Sequence, residues 1–174
     1  DDEKTIIEKY LSDGGKVYLI LGDTTSDTPN LDGIMSDYGL KKVSGYIADT
    51  QRCYQGNYYA IFPQLSLSGD LGSGISNQMV LLLNSPGMEK TDTDNDNLTV
   101  TPFMQTSDSG YAVTENDQTQ GQYILGAVST NAISADSSDS DSEDEDDESD
   151  ATDTDTKTAR LTVLASASMI SSDI

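Results

Sequence analysis

The sequence predicts an α/β layer fold, with helices covering a β-sheet, and three observations within the first forty residues point to it. Ile6, Ile7, Tyr10 and Leu11 recur at the i, i+3, i+4 spacing that lines one face of a helix. Val17 to Leu21 then form an unbroken apolar run, too short for an ordinary helix and rich in residues that suit a pleat. That is how a strand covered on both faces reads. Leu31, Ile34, Met35 and Tyr38 follow as a second helical stripe.

The boundaries of these elements have local causes. Gly14 and Gly15 end the first helix, because glycine takes a left-handed cap conformation without a Cβ penalty. Thr28 is expected to cap the second helix, with Pro29 at its first position and Gly39 closing it. Lys42 to Asp49 alternates loosely and predicts a strand interrupted at Gly45. The stretch from 51 to 76 is irregular: Tyr54, Tyr58, Tyr59 and Phe62 give it aromatic weight, Pro63 breaks it, and a loop packed over the sheet edge is expected.

Met79 to Asn84 predicts a second buried strand, stopped by Pro86-Gly87. Leu98 to Thr106 and Tyr123 to Ser129 predict two more, joined by a polar connection from Ser107 to Gln122. Ala159 to Ile170 supplies the last strand, passing into small residues, and Ser171 to Asp173 could open a further helix.

At 174 residues the chain fits a single domain, 1–174, with length enough to bury a core. Its net charge of -22 is placed unevenly, since twelve of the 31 acidic residues fall between Asp136 and Asp155. Without that run, nineteen acids still face nine bases, a balance that repels a phosphate backbone and argues against nucleic acid as a partner. The run itself lacks aromatic residues, so 135–156 is expected to be a disordered acidic insertion in a hairpin-like connection. Its other reading is a cation-binding or electrostatic interaction module. No apolar window reaches the roughly 20 residues of a membrane helix, and the opening residues suggest a piece excised from a longer protein.

Catalytic patterns are sparse. Cys53 is the lone cysteine and the chain has no histidine to activate it, so a packed role is expected. Asp23 and Asp49 are the carboxylates best placed for acid–base work, the basis of an alternative reading as a hydrolase. Asp92, Asp94 and Asp96 resemble the opening of a calcium loop, but Asn97 and Phe103 stand where such a loop needs glycine and a bidentate glutamate. No metal site and no cofactor are therefore expected. In open α/β sheets ligands bind beyond the carboxyl ends of strands. That rule selects Asp23, Thr24 and Thr25 after the first strand, Asn84 after the second, and Ser166 and Ser168 after the last.

The order YLSDGGKVYLIL, PNLDGIMSDYGLKKVSGYIAD, MVLLLNSPGM, LTVTPFMQTSDSGY, QYILGAVSTNA and RLTVLASASMISSD resembles the Gldg-type, gliding-motility-associated auxiliary component of ABC transport systems. The resemblance covers nearly the whole chain outside the acidic run. It implies a mostly parallel sheet of the flavodoxin-like or class I glutamine-amidotransferase-like type, truncated at its N-terminus. It also implies an extracytoplasmic domain of a bacterial cell-membrane protein, anchored by segments outside this chain and working beside an ABC permease and ATPase. The nucleophilic cysteine and histidine of glutaminase-like folds have no counterpart here. The expected function is accordingly a non-catalytic binding domain, with a sugar or peptide as its ligand.

Overall fold

A computed structural model of the chain describes residues 2–22, 27–67, 79–133 and 157–170. The expected first unit is present: helix α1 (Asp2–Ser12), strand β1 (Lys16–Ile20) and helix α2 (Pro29–Asp37). Short strands follow as β2 (Leu40–Lys42), β3 (Tyr46–Asp49), β4 (Cys53–Tyr54), β5 (Asn57–Ile61), β6 (Gln64–Leu65), β7 (Leu82–Leu83) and β8 (Met88–Lys90). Then come β9 (Leu98–Gln105), β10 (Gly110–Val113), β11 (Gln118–Gln120), β12 (Ile124–Ile133) and β13 (Lys157–Leu164), and a 3-10 turn at Ala167–Met169.

The principal sheet runs β1-β13-β12-β8-β2, with β9 also on β12 and β6 on β9. Only β1 and β13 pair in parallel among the described strands, Lys16 opposite Arg160 through Ile20 opposite Leu164; all other described pairings are antiparallel. This overturns the expected mostly parallel, flavodoxin-like or class I glutamine-amidotransferase-like sheet flanked by helices. The physical reason lies in what buries the apolar runs. Helices cover one face, and two small antiparallel sheets, β11-β10-β3 and β4-β5-β7, cover part of the other.

Two cores result. On the helical side Leu11, Ile34 and Met35 pack against Leu161, Val163 and Ala159, with Val17 and Leu19 partly buried beside them. Burying each large side chain there contributes roughly 1.5–3 kcal/mol. On the other side Ile47, Ile61 and Leu82 from the small sheets meet Leu125, Leu164 and Met104, with Ile20 against them. Neighbours along β13 thus face opposite layers, Val163 under the helices and Leu164 under the small sheets, as the two-residue period of a strand requires.

Several expected elements change shape. Lys42 to Asp49 is two strands in two sheets, because Gly45 takes a positive φ of 85° and a Cβ there would strike the Val113 carbonyl. That backbone approach lets β3 lie along β10. The expected strand at 79–84 shrinks to Leu82–Leu83: Leu82 is fully buried, whereas Met79 is 85% exposed. The aromatic stretch holds a hairpin, β4 to β5, whose turn residues Gln55 and Gly56 both have positive φ, as a tight primed turn demands. The connection expected between Ser107 and Gln122 contains β10, which pairs with β3, and β11, which pairs with β10. Thr28 precedes α2 but its side chain makes no cap hydrogen bond to the backbone.

Strands β12 and β13 pair along eight positions, ending at Ile133 opposite Lys157. The acidic run 135–156 lies outside the described residues, as do 68–78 and 171–174. Among the described residues no helix is long and apolar enough to cross a membrane.

Candidate functional site

The carboxyl ends of β1 and β13 lie side by side, joined by Leu21 N–H donating to the Leu164 carbonyl at 2.8 Å. Around this end the structure gathers three of the residues selected by the strand-end rule, Asn84, Ser166 and Ser168; Asp23, Thr24 and Thr25 fall outside the described residues. Ser166 and Ser168 place their hydroxyls 2.7 Å apart, and Leu83 N–H donates to Ser168 Oγ at 3.2 Å. Ser85 Oγ donates to the Ala165 carbonyl at 2.7 Å. These hydroxyls lock the turn after β13 onto β7, and Ser166 is only 2% exposed. Asn84 is exposed with φ at 46°, a left-handed conformation that asparagine tolerates, and its N–H donates to the Tyr59 carbonyl.

Beside them opens a groove of about 500 Å³, floored by Ile20, Leu21 and Leu40 and walled by Leu31 and Asp32 of α2 and by the β2–β3 connection. At its rim Lys42 Nζ donates to Asp32 Oδ1 at 2.8 Å and to Thr28 Oγ1, while the threonine hydroxyl donates to the same carboxylate oxygen. Lys42 and Asp32 are 21% and 44% exposed, so water screens the pair and its net contribution is small. A smaller hollow of about 260 Å³ lies across the β2–β3 connection, bounded by Glu89, Asp117 and Tyr123. The groove combines an apolar floor with a few polar rim groups, the general form of a small-ligand site.

Asp49, one of the two carboxylates considered for chemistry, is fully buried and accepts four hydrogen bonds. Its Oδ2 accepts from Ser107 N–H at 2.7 Å, and its Oδ1 accepts from Ser107 Oγ at 2.8 Å and from the N–H groups of Gln51 and Arg52 at 2.9 Å each. Burial pushes the carboxyl up, but the Ser107, Arg52 and Gln51 donors outweigh it and hold Asp49 below the usual carboxylate range. The group is an ionised staple between the turn after β3 and the turn before β10.

Cys53 sits half-buried on β4 opposite Ile61, beside the edge-on Tyr54–Phe62 ring pair at 6.0 Å. No group of three His, Cys, Asp or Glu residues able to hold a metal comes together among the described residues. The Asp92–Asn97 turn is instead organised by Asn95, whose Oδ1 accepts from Asn97 N–H and whose amide donates to Asn131. Sequence reasoning missed the Thr28–Asp32–Lys42 triangle, since Lys42 lies fourteen residues from Thr28 and only the chain reversal after α2 joins them. The Asp49–Ser107 pair spans 58 residues and left no local signal.

Scans against known protein families and against curated proteins find no match. Among solved structures, the chain is similar to one titled "mmIFT52 N-terminal domain", with a TM-score of 0.56 and 12% identity. The match covers 98% of this chain and 62% of that one, so this chain spans under two thirds of that structure's length. At this identity the likeness is one of fold alone.

Proposed function

We propose that the chain is a non-catalytic binding domain: the extracytoplasmic part of an auxiliary membrane protein that works beside an ABC permease and ATPase. The observation that carries the non-catalytic reading is the state of Asp49. A carboxylate that accepts four hydrogen bonds and is fully buried is out of a substrate's reach; Asp23, the other carboxylate considered, lies outside the described residues. What the carboxyl end of the sheet offers is a shaped groove with a screened Lys42–Asp32 rim, suited to holding a sugar or peptide. The transport setting rests on the sequence resemblance through the GGKVYLIL, NLDGIMSDYGL and TPFMQTS segments.

The test is co-purification. The protein carrying this chain, tagged and co-expressed with a neighbouring permease and ATPase, is expected to bring both down from detergent. Leu31→Arg, which puts a charge into the groove wall, is expected to weaken ligand uptake without dissolving the complex. Failure to recover either subunit would remove the transport setting. Turnover of a glycan or peptide that disappears in a folded Asp49→Asn variant would sink the non-catalytic reading.

A further inference from the structure

Strand β1 forms one edge of the principal sheet, and the phase of its pairing leaves half of its main chain unused among the described residues. Arg160 N–H donates to the Gly15 carbonyl at 3.0 Å, and Leu21 N–H to the Leu164 carbonyl at 2.8 Å. These two bonds fix the odd-numbered residues of β1 as those bonded to β13, so the N–H and C=O groups of Lys16, Tyr18 and Ile20 point outward. No described residue takes them. The edge also lacks the usual protections: β1 has no proline, its register is unbroken, and its single charge sits at its first residue.

The surface beside this edge is electrostatically set apart. Strands β1, β9, β12 and β13 contain no Asp or Glu, in a chain with 31 acidic residues. They do contain Lys16, Lys157 and Arg160, three of the nine bases. Lys16 and Arg160 are register partners, both exposed, and no described carboxylate forms an ion pair with either. Tyr18, 61% exposed on the same face, adds a flat amphipathic side chain of the kind that anchors interfaces. The charged pair Lys16 and Arg160 lies at the start of β1, whereas the groove meets the strand's other end at Ile20 and Leu21.

We propose that the outer edge of β1 takes up an extended acidic segment of a partner polypeptide as an added strand. The main-chain groups of Lys16, Tyr18 and Ile20 would bond its backbone, and its carboxylates would lie over Lys16 and Arg160. Strand addition draws affinity from main-chain bonds and specificity from alternate side chains. Here the specificity is charge, in a molecule that elsewhere repels acidic partners.

The probe is a fluorescein-labelled peptide alternating Glu and Thr, with a Lys/Thr peptide as the control, followed by anisotropy on the intact protein. The Glu peptide is expected to bind, to weaken as salt rises, and to lose at least tenfold in affinity in the Lys16→Glu/Arg160→Glu variant. Tyr18→Pro removes an outward N–H while leaving the β13 ladder donors in place, and is expected to abolish binding with the circular dichroism spectrum kept. Should Tyr18→Pro fail to fold, the charge-reversal variant still decides. Absence of binding, equal binding of both peptides, or indifference to the charge reversal would overturn the proposal. Binding seen only after deletion of 135–156 would overturn it too, by assigning the basic face to the chain's own acidic run.

Discussion

The two faces of β1 and β13 are built from alternate residues of the same strands, yet they meet different fates. Val17, Leu19, Leu161 and Val163 turn toward α1 and α2 and join the helical core. Lys16, Tyr18, Arg160 and Thr162 turn the other way and stay at least partly open, until Ile20 and Leu164 pass beneath the small sheets. One end of the sheet is therefore closed on both sides and the other on one. Rigidity and built polar contacts, including the Asp49 staple and the serine lock, belong to the doubly covered end; the singly covered end offers surface.

The comparison is broken most sharply at the staple. Asp49→Ala leaves the Ser107, Gln51 and Arg52 donors buried and unpaired, and is expected to cost about 3–4 kcal/mol in urea unfolding. The same group sets an acid limb. Its folded carboxyl lies below its ordinary 3.8, so its stabilisation is complete above that value and is lost as pH falls through the lower, folded one. Asp49→Asn is expected to flatten the fall in stability below about pH 4; an unchanged acid limb would remove the staple from the account.

Next in size is the helical face, where Leu161→Ala is expected to cost about 3 kcal/mol by transfer and cavity formation. Lys42→Ala, at the screened groove rim, should cost about 0.5 kcal/mol, and less at high salt. Tyr18→Ala, on the bare face, should change stability by less than about 0.5 kcal/mol. Equal losses at Leu161 and Tyr18 would show that both faces are covered and would erase the contrast.

These differences also mark what the sequence could reveal. The stripes Ile6, Ile7, Tyr10, Leu11 and Leu31, Ile34, Met35, Tyr38 located α1 and α2 because the helical period is local, but in α1 only Ile7 and Leu11 turn to the core while Ile6 and Tyr10 stay exposed. The run Val17 to Leu21 located β1 but misreported its surroundings. A continuous apolar run reads alike whether helices, a second sheet or an open edge lies on its second side, and Tyr18 serves equally as core or surface. Strand direction was illegible for the same reason, since parallel and antiparallel neighbours ask for the same side chains. Strands β10 and β11 escaped notice because Gln118–Gln120 is wholly polar and exposed, and its partner β10 is itself paired with a strand about sixty residues earlier. At the candidate site, Asn84, Ser166 and Ser168 follow strands β7 and β13, but the bonds that tie the two serines to each other and to Leu83 depend on a chain crossing that spacing does not encode.

The ladder between β12 and β13 closes with Ile133 clamped face to face with Lys157. A peptide bridging two such neighbours leaves and re-enters the fold at one spot, so its length is nearly invisible to the sheet, each doubling adding only about 0.6 kcal/mol of closure entropy. This junction is therefore a natural splice point: a fluorescent reporter grafted between those residues, or new chain termini opened there, should leave the remaining architecture standing.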